Sequence, residues 1–402
     1  MKNHPIKNIY SFFKYFIISI LLFSAIFIIF SASACESKEK VIKIGSQAVF
    51  SGDDLFYGQD QAISMEIAVS ELSPVRIGGF DYRINLVKKD DEGNAEKAFL
   101  VAQEFVEENV AAVVGSTFNG TTKAALTVYS EYNIPMLAPC SQAVEVQSAS
   151  GIFYRMIINN SQKIENIASF FTESIKPEKL LLIDNGEEYS VKLTDHLIEI
   201  FNSKNASFAK RYSVKFDPEQ YSILAENILI DEPDYVFFSA NYNEVALLIT
   251  KVRELGLLCG FITEEPGMNK GISALTNKEY LEGLIAIVPE PPSLAKYSED
   301  KRAIEFWRKY NDYLNKIDDD DDEIVLTGPG QYAPYSYDSV YVIIDAMKRA
   351  NSILPVDFKD KLKSTALDGV SGKIEFNSNG ERLKPLSTVF IIKNGDWVRY
   401  SN

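Results

Sequence analysis

The chain has 402 residues and 46% hydrophobic content, which is normal for a globular protein and excludes a largely disordered chain. This length predicts two domains rather than one core. The net charge of −15 argues against a nucleic-acid-binding protein, because phosphate binding needs clustered Lys and Arg. Three cysteines and two histidines exclude a disulfide framework and leave little for a histidine-based metal or catalytic site.

The first 34 residues are predicted to be a secretory signal peptide. Three lysines precede an apolar run from Tyr15 to Phe30, and small residues fill positions 31–34. Cys35 follows, so the pattern resembles a bacterial lipoprotein box, in which this cysteine is diacylated and residues 35–40 form a tether. An ordinary cleaved signal or an uncleaved membrane anchor of about 20 residues is the alternative. All three place the rest of the chain outside the cytoplasm. Loss of three lysines and no acid deepens the net charge to −18.

From Val41 onward, short apolar strands alternate with amphipathic helices. The predicted strands are 41–48, 82–88, 111–115, 136–138, 180–184, 235–239, 260–263 and 284–288. The predicted helices are 59–72, 95–109, 121–132, 164–175, 191–202, 221–230, 243–255, 300–314 and 335–351. Three short strands near the end, 373–376, 387–393 and 397–400, are joined by the predicted hairpin turns Asn379-Gly380 and Asn394-Gly395. The alternation predicts two α/β lobes with parallel sheets covered on both faces.

The most informative candidate site is the loop from Gly115 to Thr122, between a predicted strand and a predicted helix. In open α/β sheets, ligands bind beyond the carboxyl ends of strands, where helix N-termini present unpaired N–H groups. Donors from Asn119, Thr121 or Thr122 would suit a carboxylate. Phosphate fits less well, because the loop has no lysine and no P-loop spacing. An ordinary helix cap by Asn119 or Thr121 is the alternative.

Two further strand ends carry polar residues. Residues 136–142 lead into Cys140, Ser141 and Gln142, and the acids Glu264 and Glu265 follow the strand 260–263. An acid in a cleft is costly to desolvate unless it meets a cation. Carboxylate donors on one lobe and an acid on the other would bind both ends of a zwitterion. A solvated turn is the alternative for the two acids.

The order of these motifs resembles the leucine/isoleucine/valine-binding family of type I periplasmic solute-binding proteins, which serve ABC importers. The resemblance spans about Val41 to Trp397 and is carried by five segments: Ser51-Gly52, Tyr57-Gly58, Lys89-Asp90-Asp91, Val113-Val114-Gly115 and Ile134 to Pro139. It implies two doubly wound parallel-sheet α/β lobes joined by a hinge of three crossovers, near 154–160, 287–289 and 385–387. The implied lobes are 41–155 with 290–385, and 156–289 with 386–402.

The resemblance also implies binding residues in the first lobe. Asn119 takes the position of the family's carboxylate-binding serine. Cys140, Ser141 and Gln142 form the next strand-end loop, which the family uses partly through its backbone. Tyr57 is the family's tyrosine before a glycine in the first loop. The amide of Asn119 can donate a hydrogen bond, so anion binding is expected to survive the replacement of serine.

In the second lobe, the resemblance places Tyr189 over the ligand and gives Glu265 the role of the ammonium-binding glutamate. Asn241 stands where relatives often carry a tyrosine. Phe118 and the stretch Glu92–Asn94 replace the cysteines of a family disulfide, so that bridge is not expected here. Because of these departures, selectivity for the ligand side chain does not transfer from the family.

Other candidate residues favour structural roles. His196 follows Asp195 on a predicted helix, where neighbouring side chains point about 100° apart and cannot act as a dyad. Cys140 and Cys259 fall in different lobes, so free thiols are expected rather than a bridge. The acidic run Asp318 to Glu323 lacks the glycine and spacing of a calcium loop and reads as a solvated loop, with weak divalent-ion binding as the alternative.

The sequence therefore predicts a lipid-anchored extracytoplasmic solute-binding protein that delivers an amino acid or similar zwitterion to an ABC permease. It is expected to act as a monomer, without a cofactor or metal. A ligand-sensing module of a receptor or chemotaxis system would share the same cleft and is the alternative. An extracytoplasmic enzyme is disfavoured, because one histidine remains after export and no nucleophile–base pair is recognisable.

Overall fold

Strands and helices alternate along the chain, as the sequence predicts. The computed structural model describes residues 40–146, 151–289, 300–317, 326–383 and 387–400. Cys35 and the acidic run at 318–323 lie outside these residues, so lipid attachment and cation binding stay predictions. Within the described ranges, no helix combines the length and the apolar sequence that crossing a bilayer requires.

The first six strands form one sheet and are interleaved with three helices. Their bounds are β1 Lys40–Ala48, α1 Leu55–Leu72, β2 Val75–Ile77, β3 Phe80–Asp90, α2 Ala95–Glu107, β4 Ala112–Val114, α3 Asn119–Tyr132, β5 Met136–Ala138 and β6 Phe153–Arg155. The strand order is β2-β3-β1-β4-β5-β6. β1, β4, β5 and β6 run parallel, and β2 pairs antiparallel with β3 at the edge.

The second sheet is built from the middle of the chain and its last strands. The middle elements are α4 Asn160–Ser169, a π-helix Phe170–Ile175, β7 Leu180–Asp184, α5 Glu188–Ser203, β8 Lys210–Ser213, α6 Pro218–Asp231, β9 Tyr235–Ser239, α7 Tyr242–Glu254 and β10 Gly260–Glu264. Two 3₁₀ turns, Glu265–Gly267 and Lys270–Ala274, and the helix α8 Lys278–Leu281 lead to β11 Ile285–Pro289.

The remaining elements divide between the two sheets. They are α9 Lys301–Ile317, α10 Ala333–Ala350, α11 Pro355–Leu362, β12 Ala366–Gly369, β13 Gly372–Glu375, β14 Ser387–Lys393 and β15 Asp396–Arg399. The second sheet has the order β15-β14-β11-β10-β9-β7-β8. Its strands β7 to β11 are parallel, and β14 and β15 are antiparallel. Among the described strands, β12 and β13 form a separate two-stranded sheet.

Both sheets are covered by helices on both faces, which explains their continuous apolar strands. In the first lobe, α1, α9, α10 and α11 pack on one face, and α2 and α3 pack on the other. In the second lobe, α6 and α7 cover one face, and α4 and α5 cover the other. Every residue of β7 is buried. The predicted class of two doubly wound α/β lobes is confirmed.

The chain passes between the lobes three times: after β6, after β11 and before β14. Residues 290–299, which follow β11 in the sequence, and residues 384–386, which precede β14, lie outside the described ranges. The lobe boundaries predicted from the sequence therefore stay predictions. β2, β6, β8, β12, α8 and α11 were not predicted, and all but α11 have only three or four residues. The predicted helix 164–175 covers most of α4 and the whole π-helix.

One of the two predicted hairpin turns is confirmed. Asn394 and Gly395 have positive φ and connect β14 to β15, whose last pair is Lys393 with Asp396. The turn at Asn379-Gly380 was expected to join two strands of one hairpin, and that prediction was wrong. There Phe376 forms only an isolated bridge with Arg382, because β13 pairs with β12 and β14 pairs with β11.

Candidate ligand-binding site

The first-lobe part of the site lies at the carboxyl ends of β4 and β5, which are parallel neighbours. Two loops therefore meet at this edge: the loop from β4 to the start of α3, and the loop that follows β5. Gly115 allows the turn after β4, since its φ is +142° and a Cβ there would lie 2.1 Å from the Gln47 carbonyl oxygen. Only glycine permits this close approach of two strands.

Asn119 connects these two loops. Its Oδ1 accepts hydrogen bonds from Ser141 Oγ at 2.8 Å, from the Gln142 N–H at 3.1 Å and from the Ala143 N–H at 3.2 Å. Three donors around one atom fix the orientation of the amide, so its NH₂ group faces away from the loop. Ser141 and the Gln142 N–H are thus engaged within the protein. The donors left for a carboxylate are the Asn119 NH₂ group and the N–H groups at the start of α3.

A buried arginine holds the same loop from its other side. Arg155 donates to the carbonyl oxygens of Ser141, Ala143 and Val146, the last two at 2.9 Å from Nη2. Its Nε lies 2.8 Å from Glu381 Oε2, and both side chains are buried. Arg155 thereby joins the loop after β5 to two chain segments that cross between the lobes.

An aromatic wall borders the first-lobe side. The Tyr57 ring packs edge-on against Phe118, with centroids 6.2 Å apart, and lies 5.9 Å from the ring of Tyr332. Burial, followed by the charges of Asp54 and Glu265 and the nearby Cys140, raises the pKa of Tyr57. Burial also raises the pKa of the Cys140 thiol well above its ordinary value. The wall is therefore largely apolar and uncharged at neutral pH.

Both described cysteines are free thiols, as the sequence predicts. Cys140 and Cys259 are buried and unbridged.

Glu264 and Glu265, at the end of β10, point in different directions. Glu264 is fully buried inside the second lobe, where Ser239 Oγ donates to its Oε1 at 3.2 Å. The Glu265 side chain is 14% exposed and faces the first lobe. Its carboxylate accepts from Tyr332 OH at 3.3 Å and from Gln142 Nε2 at 3.4 Å. Glu265 is thus the acid that contacts both lobes.

Lys163 completes the acidic end of the site, and its role was missed from the sequence. Its Nζ is buried, 3.3 Å from Glu264 Oε2 and 3.7 Å from Glu265 Oε2. Burial opposes its charge, but Tyr189 and the two carboxylates outweigh that effect and raise the pKa of Lys163. The available signal was its position four residues before the apolar Ile167, which places both on the inner face of α4.

Tyr189 belongs to the same cluster, whereas Asn241 does not. Tyr189 as a residue is 41% exposed, but its hydroxyl bonds inside the cluster: it donates to Glu264 Oε2 at 3.0 Å and accepts from Lys163 Nζ. Burial and the charge of Glu264 raise the pKa of Tyr189. Asn241 is exposed and immediately precedes α7, where its N–H donates to Glu244 at 3.0 Å. In the described part of the chain its side chain has no hydrogen bond to the cluster.

The structure therefore places all but one of the candidate residues close together in one cluster. They are Tyr57, Asn119, Cys140, Ser141, Gln142, Tyr189 and Glu265. Sequence reasoning missed Lys163, Arg155 and Tyr332.

Comparison with known proteins agrees with this architecture. The sequence profile described as periplasmic binding protein matches residues 41–396. The chain belongs to the periplasmic binding protein family. The resemblance noted from the sequence motifs is thereby confirmed.

This periplasmic binding protein is similar to several named proteins. The leucine-specific-binding protein of Salmonella typhimurium is 23% identical over 334 residues, covering 82% of this chain and 83% of the relative. The crystal structure of a leucine binding protein from Thermotoga maritima has a TM-score of 0.67 at 22% identity, covering 90% of this chain and 98% of that one. An ABC transporter substrate-binding protein from Desulfitobacterium hafniense, complexed with Leu, has a TM-score of 0.70 at 20% identity, covering 90% and 100%.

A buried acid supports the aromatic wall of this binding protein from behind. Asp60, on α1, accepts hydrogen bonds from Tyr310 OH at 2.6 Å and from the Gly330 N–H at 2.9 Å, and another from the Ala333 N–H. These bonds fix the segment that carries Tyr332. Burial raises the pKa of Asp60 from its ordinary 3.8 to about 6, although the three hydrogen bonds oppose the shift.

We expect Asp60→Asn to change how stability depends on pH. Between pH 4 and pH 6 the folded protein keeps a proton on Asp60 that the unfolded chain has released, so this residue's contribution to stability falls as pH rises. The shift of the Asp60 pKa from 3.8 to about 6 corresponds to about 3 kcal/mol, because each pKa unit is worth about 1.36 kcal/mol. Asparagine does not titrate, so the variant lacks this pH-dependent loss. Its free energy of unfolding should therefore rise relative to that of wild type from pH 4 to pH 7. Urea unfolding at four pH values measures this, and a constant difference would contradict the role of Asp60.

Proposed function

We propose that the protein is the extracytoplasmic solute-binding component of an ABC importer and that its ligand is an α-amino acid. The observation that carries the proposal is the position of Glu265, an acid of the second lobe that reaches Gln142 and Tyr332 of the first. Gln142 is itself bonded to Asn119, next to the donors at the start of α3. An α-amino acid carries its carboxylate and ammonium groups on one carbon, and this cleft offers donors and an acid side by side.

The aromatic wall supports a ligand with an apolar side chain. Tyr57, Phe118, Tyr332 and the neutral thiol of Cys140 bring no charge to that side of the cleft. The similar proteins include two leucine-binding proteins and an ABC transporter substrate-binding protein solved in complex with Leu. We therefore propose a branched-chain or similar apolar amino acid. In this scheme the first lobe holds the carboxylate through Asn119 and the N-terminus of α3, with Tyr57 and the 140–142 loop beside it.

Closure of the two lobes completes the binding site. Glu265 and Tyr189 of the second lobe would come onto the ammonium group and side chain of the ligand. The ligand shifts the equilibrium toward the closed form by its differential affinity for that form, and the permease would recognise it. No chemical step is needed, which agrees with a family of binding proteins. Among the described residues, the Asn241 side chain makes no hydrogen bond to Lys163, Tyr189, Glu264 or Glu265. We therefore assign Asn241 a role only at the margin of the proposed cleft.

We propose that the chain is exported and held at the membrane through lipid on Cys35, acting as a monomer that docks on an ABC permease. The support for export and lipidation is the sequence pattern of residues 1–35. The support for the permease is the family and the transporter-associated relative from Desulfitobacterium hafniense.

A thermal-shift panel on residues 36–402 tests the proposed ligand. The panel holds the twenty amino acids, small amides and organic acids without an amine. A ligand at 100 times its dissociation constant should stabilise the protein by about 2.7 kcal/mol, a shift of several degrees. We expect the largest shifts from apolar amino acids such as L-leucine and L-isoleucine. The amino-acid proposal fails if only an uncharged or purely anionic solute raises the melting temperature.

A further inference from the structure

The two acids at the end of β10 share one buried lysine. Lys163 is 1% exposed, and its Nζ lies 3.3 Å from Glu264 and 3.7 Å from Glu265. Among the described residues, no second cation lies within 4 Å of either carboxylate. One lysine therefore faces two carboxyl groups where the ligand would bind, and with both acids ionised the three groups would carry a net charge of −1.

The other groups around the three charges are neutral near pH 7. Tyr189 contacts Lys163 and Glu264, and burial raises the pKa of its hydroxyl. On the other side of Glu265, burial likewise raises the pKa values of Tyr332, Tyr57 and Cys140. No other described group is placed to balance the second acid.

Two adjacent buried carboxylates do not both stay ionised without a cation. Like charges in a desolvated site raise each other's pKa until one takes up a proton. Burial already raises the pKa of Glu264, and the charge of Lys163 opposes that rise. Removing the lysine would therefore raise the pKa of Glu264 further, and a ligand ammonium group would have to compete with the proton that Glu264 takes up.

We propose that Lys163 is a positioning residue that balances the charge of Glu264, so that Glu265 is left to meet the ammonium group of the ligand. This inference rests on the proposed function, since it requires Glu265 to bind an ammonium group. It also specifies the ligand class. One ammonium group neutralises the cluster, whereas a second cation, as in a dibasic amino acid, finds no unpaired acid there.

Four variants separate this role from simple structural support. Lys163→Met removes the cation, Glu264→Gln removes the second acid, and the double variant removes both. Lys163→Arg keeps the charge and is the matched control. The probe is the amino acid that gives wild type its largest shift in the panel. Isothermal titration at pH 6 and pH 8, in buffers of different ionisation enthalpy, measures affinity and the protons released on binding.

We expect wild type and Lys163→Arg to keep their affinity within about threefold between the two pH values. Lys163→Met should lose about tenfold or more from pH 8 to pH 6 and release part of a proton when ligand binds, since each pH unit below a pKa is worth up to tenfold. Glu264→Gln should bind about tenfold more weakly at both pH values, because Lys163 then neutralises Glu265. The double variant, again at −1, should regain pH-independent binding.

The result that overturns the inference is a Lys163→Met protein with unchanged, pH-independent affinity and no proton release. Should that variant not fold, Glu264→Gln decides the matter, because affinity within twofold of wild type would rule out the charge balance. In either case ligand binding by wild type leaves the proposed function standing. If no amino acid in the panel binds wild type, the proposed function fails and this inference fails with it.

Discussion

Replacing Glu265 with glutamine is expected to weaken amino-acid binding by about 30-fold to several thousand-fold. Truncating one partner of a buried, charged hydrogen-bonded pair typically costs about 2–5 kcal/mol, and each 1.4 kcal/mol is a factor of ten. Glutamine has nearly the same shape and can still accept the hydrogen bond from Tyr332. The ligand-free protein should therefore keep its melting temperature within about 2 °C, since the change does not open a cavity.

Isothermal titration with L-leucine, or with the best ligand of the thermal-shift panel, measures the loss of affinity. Glu254→Gln is the matched control, because Glu254 is an exposed acid at the end of α7 in the same lobe. The control makes the same change in net charge and should bind like wild type. Equal affinity of Glu265→Gln and wild type would reject the ammonium-binding role of Glu265.

Arg155→Met should destabilise the protein by about 3–5 kcal/mol, the usual cost of leaving one partner of a buried ion pair uncompensated. Arg155 is fully buried, and its loss would strand Glu381, which lies 2.8 Å away and also accepts from Asn159 Nδ2 at 3.0 Å. Three carbonyl oxygens of the loop after β5 would lose their donor as well. A loss of this size is a large part of the stability of a typical domain.

Urea unfolding followed by circular dichroism measures the change in stability. Arg308→Met is the matched control, because Arg308 pairs with Glu305 at 2.7 Å and with Asp312 at 2.6 Å on the exposed side of α9. Exposed pairs of this kind contribute about 0–1 kcal/mol. If Arg155→Met and the control lost equal stability, the buried pair would not hold the crossovers together.

Most of the fold was accessible from the sequence, because its elements are apolar runs with clear ends. β5 and β7 have the predicted bounds, the first enclosed by Pro135 and Pro139. α1 begins at Leu55, four residues before the prediction, and continues through Gly58. Gly58 does not end the helix. It lets the helix backbone pack closely on the chain at Val49, since a Cβ at Gly58 would lie 2.1 Å from the Val49 carbonyl oxygen. Such a backbone contact between α1 and the residue after β1 is not visible as a pattern in the sequence.

The candidate site was predictable only in part, for a similar reason. Strand ends and helix starts indicated where Asn119 and Glu265 lie, since those positions follow from local sequence. The roles of the three missed residues depend on partners far away in the sequence. Lys163 lies 101 residues from Glu264, Arg155 lies 226 residues from Glu381, and Tyr332 lies 67 residues from Glu265. A charged residue in a helix pattern reads as solvent-facing until its partner is known. Family resemblance placed the acid but did not indicate the lysine beside it.

The pairing of β11 with β14 has a consequence for how the chain acquires its structure. Ile285 lies opposite Ile391, so the second sheet is finished by strands that follow the whole of α9, α10 and α11. While the chain is being synthesised in order from its N-terminus, β11 has an open edge until residues 387–399 emerge. The second lobe is therefore the last part to mature. Loss of the final hairpin would damage that lobe and expose a strand edge suited to aggregation, while the first sheet keeps all its strands.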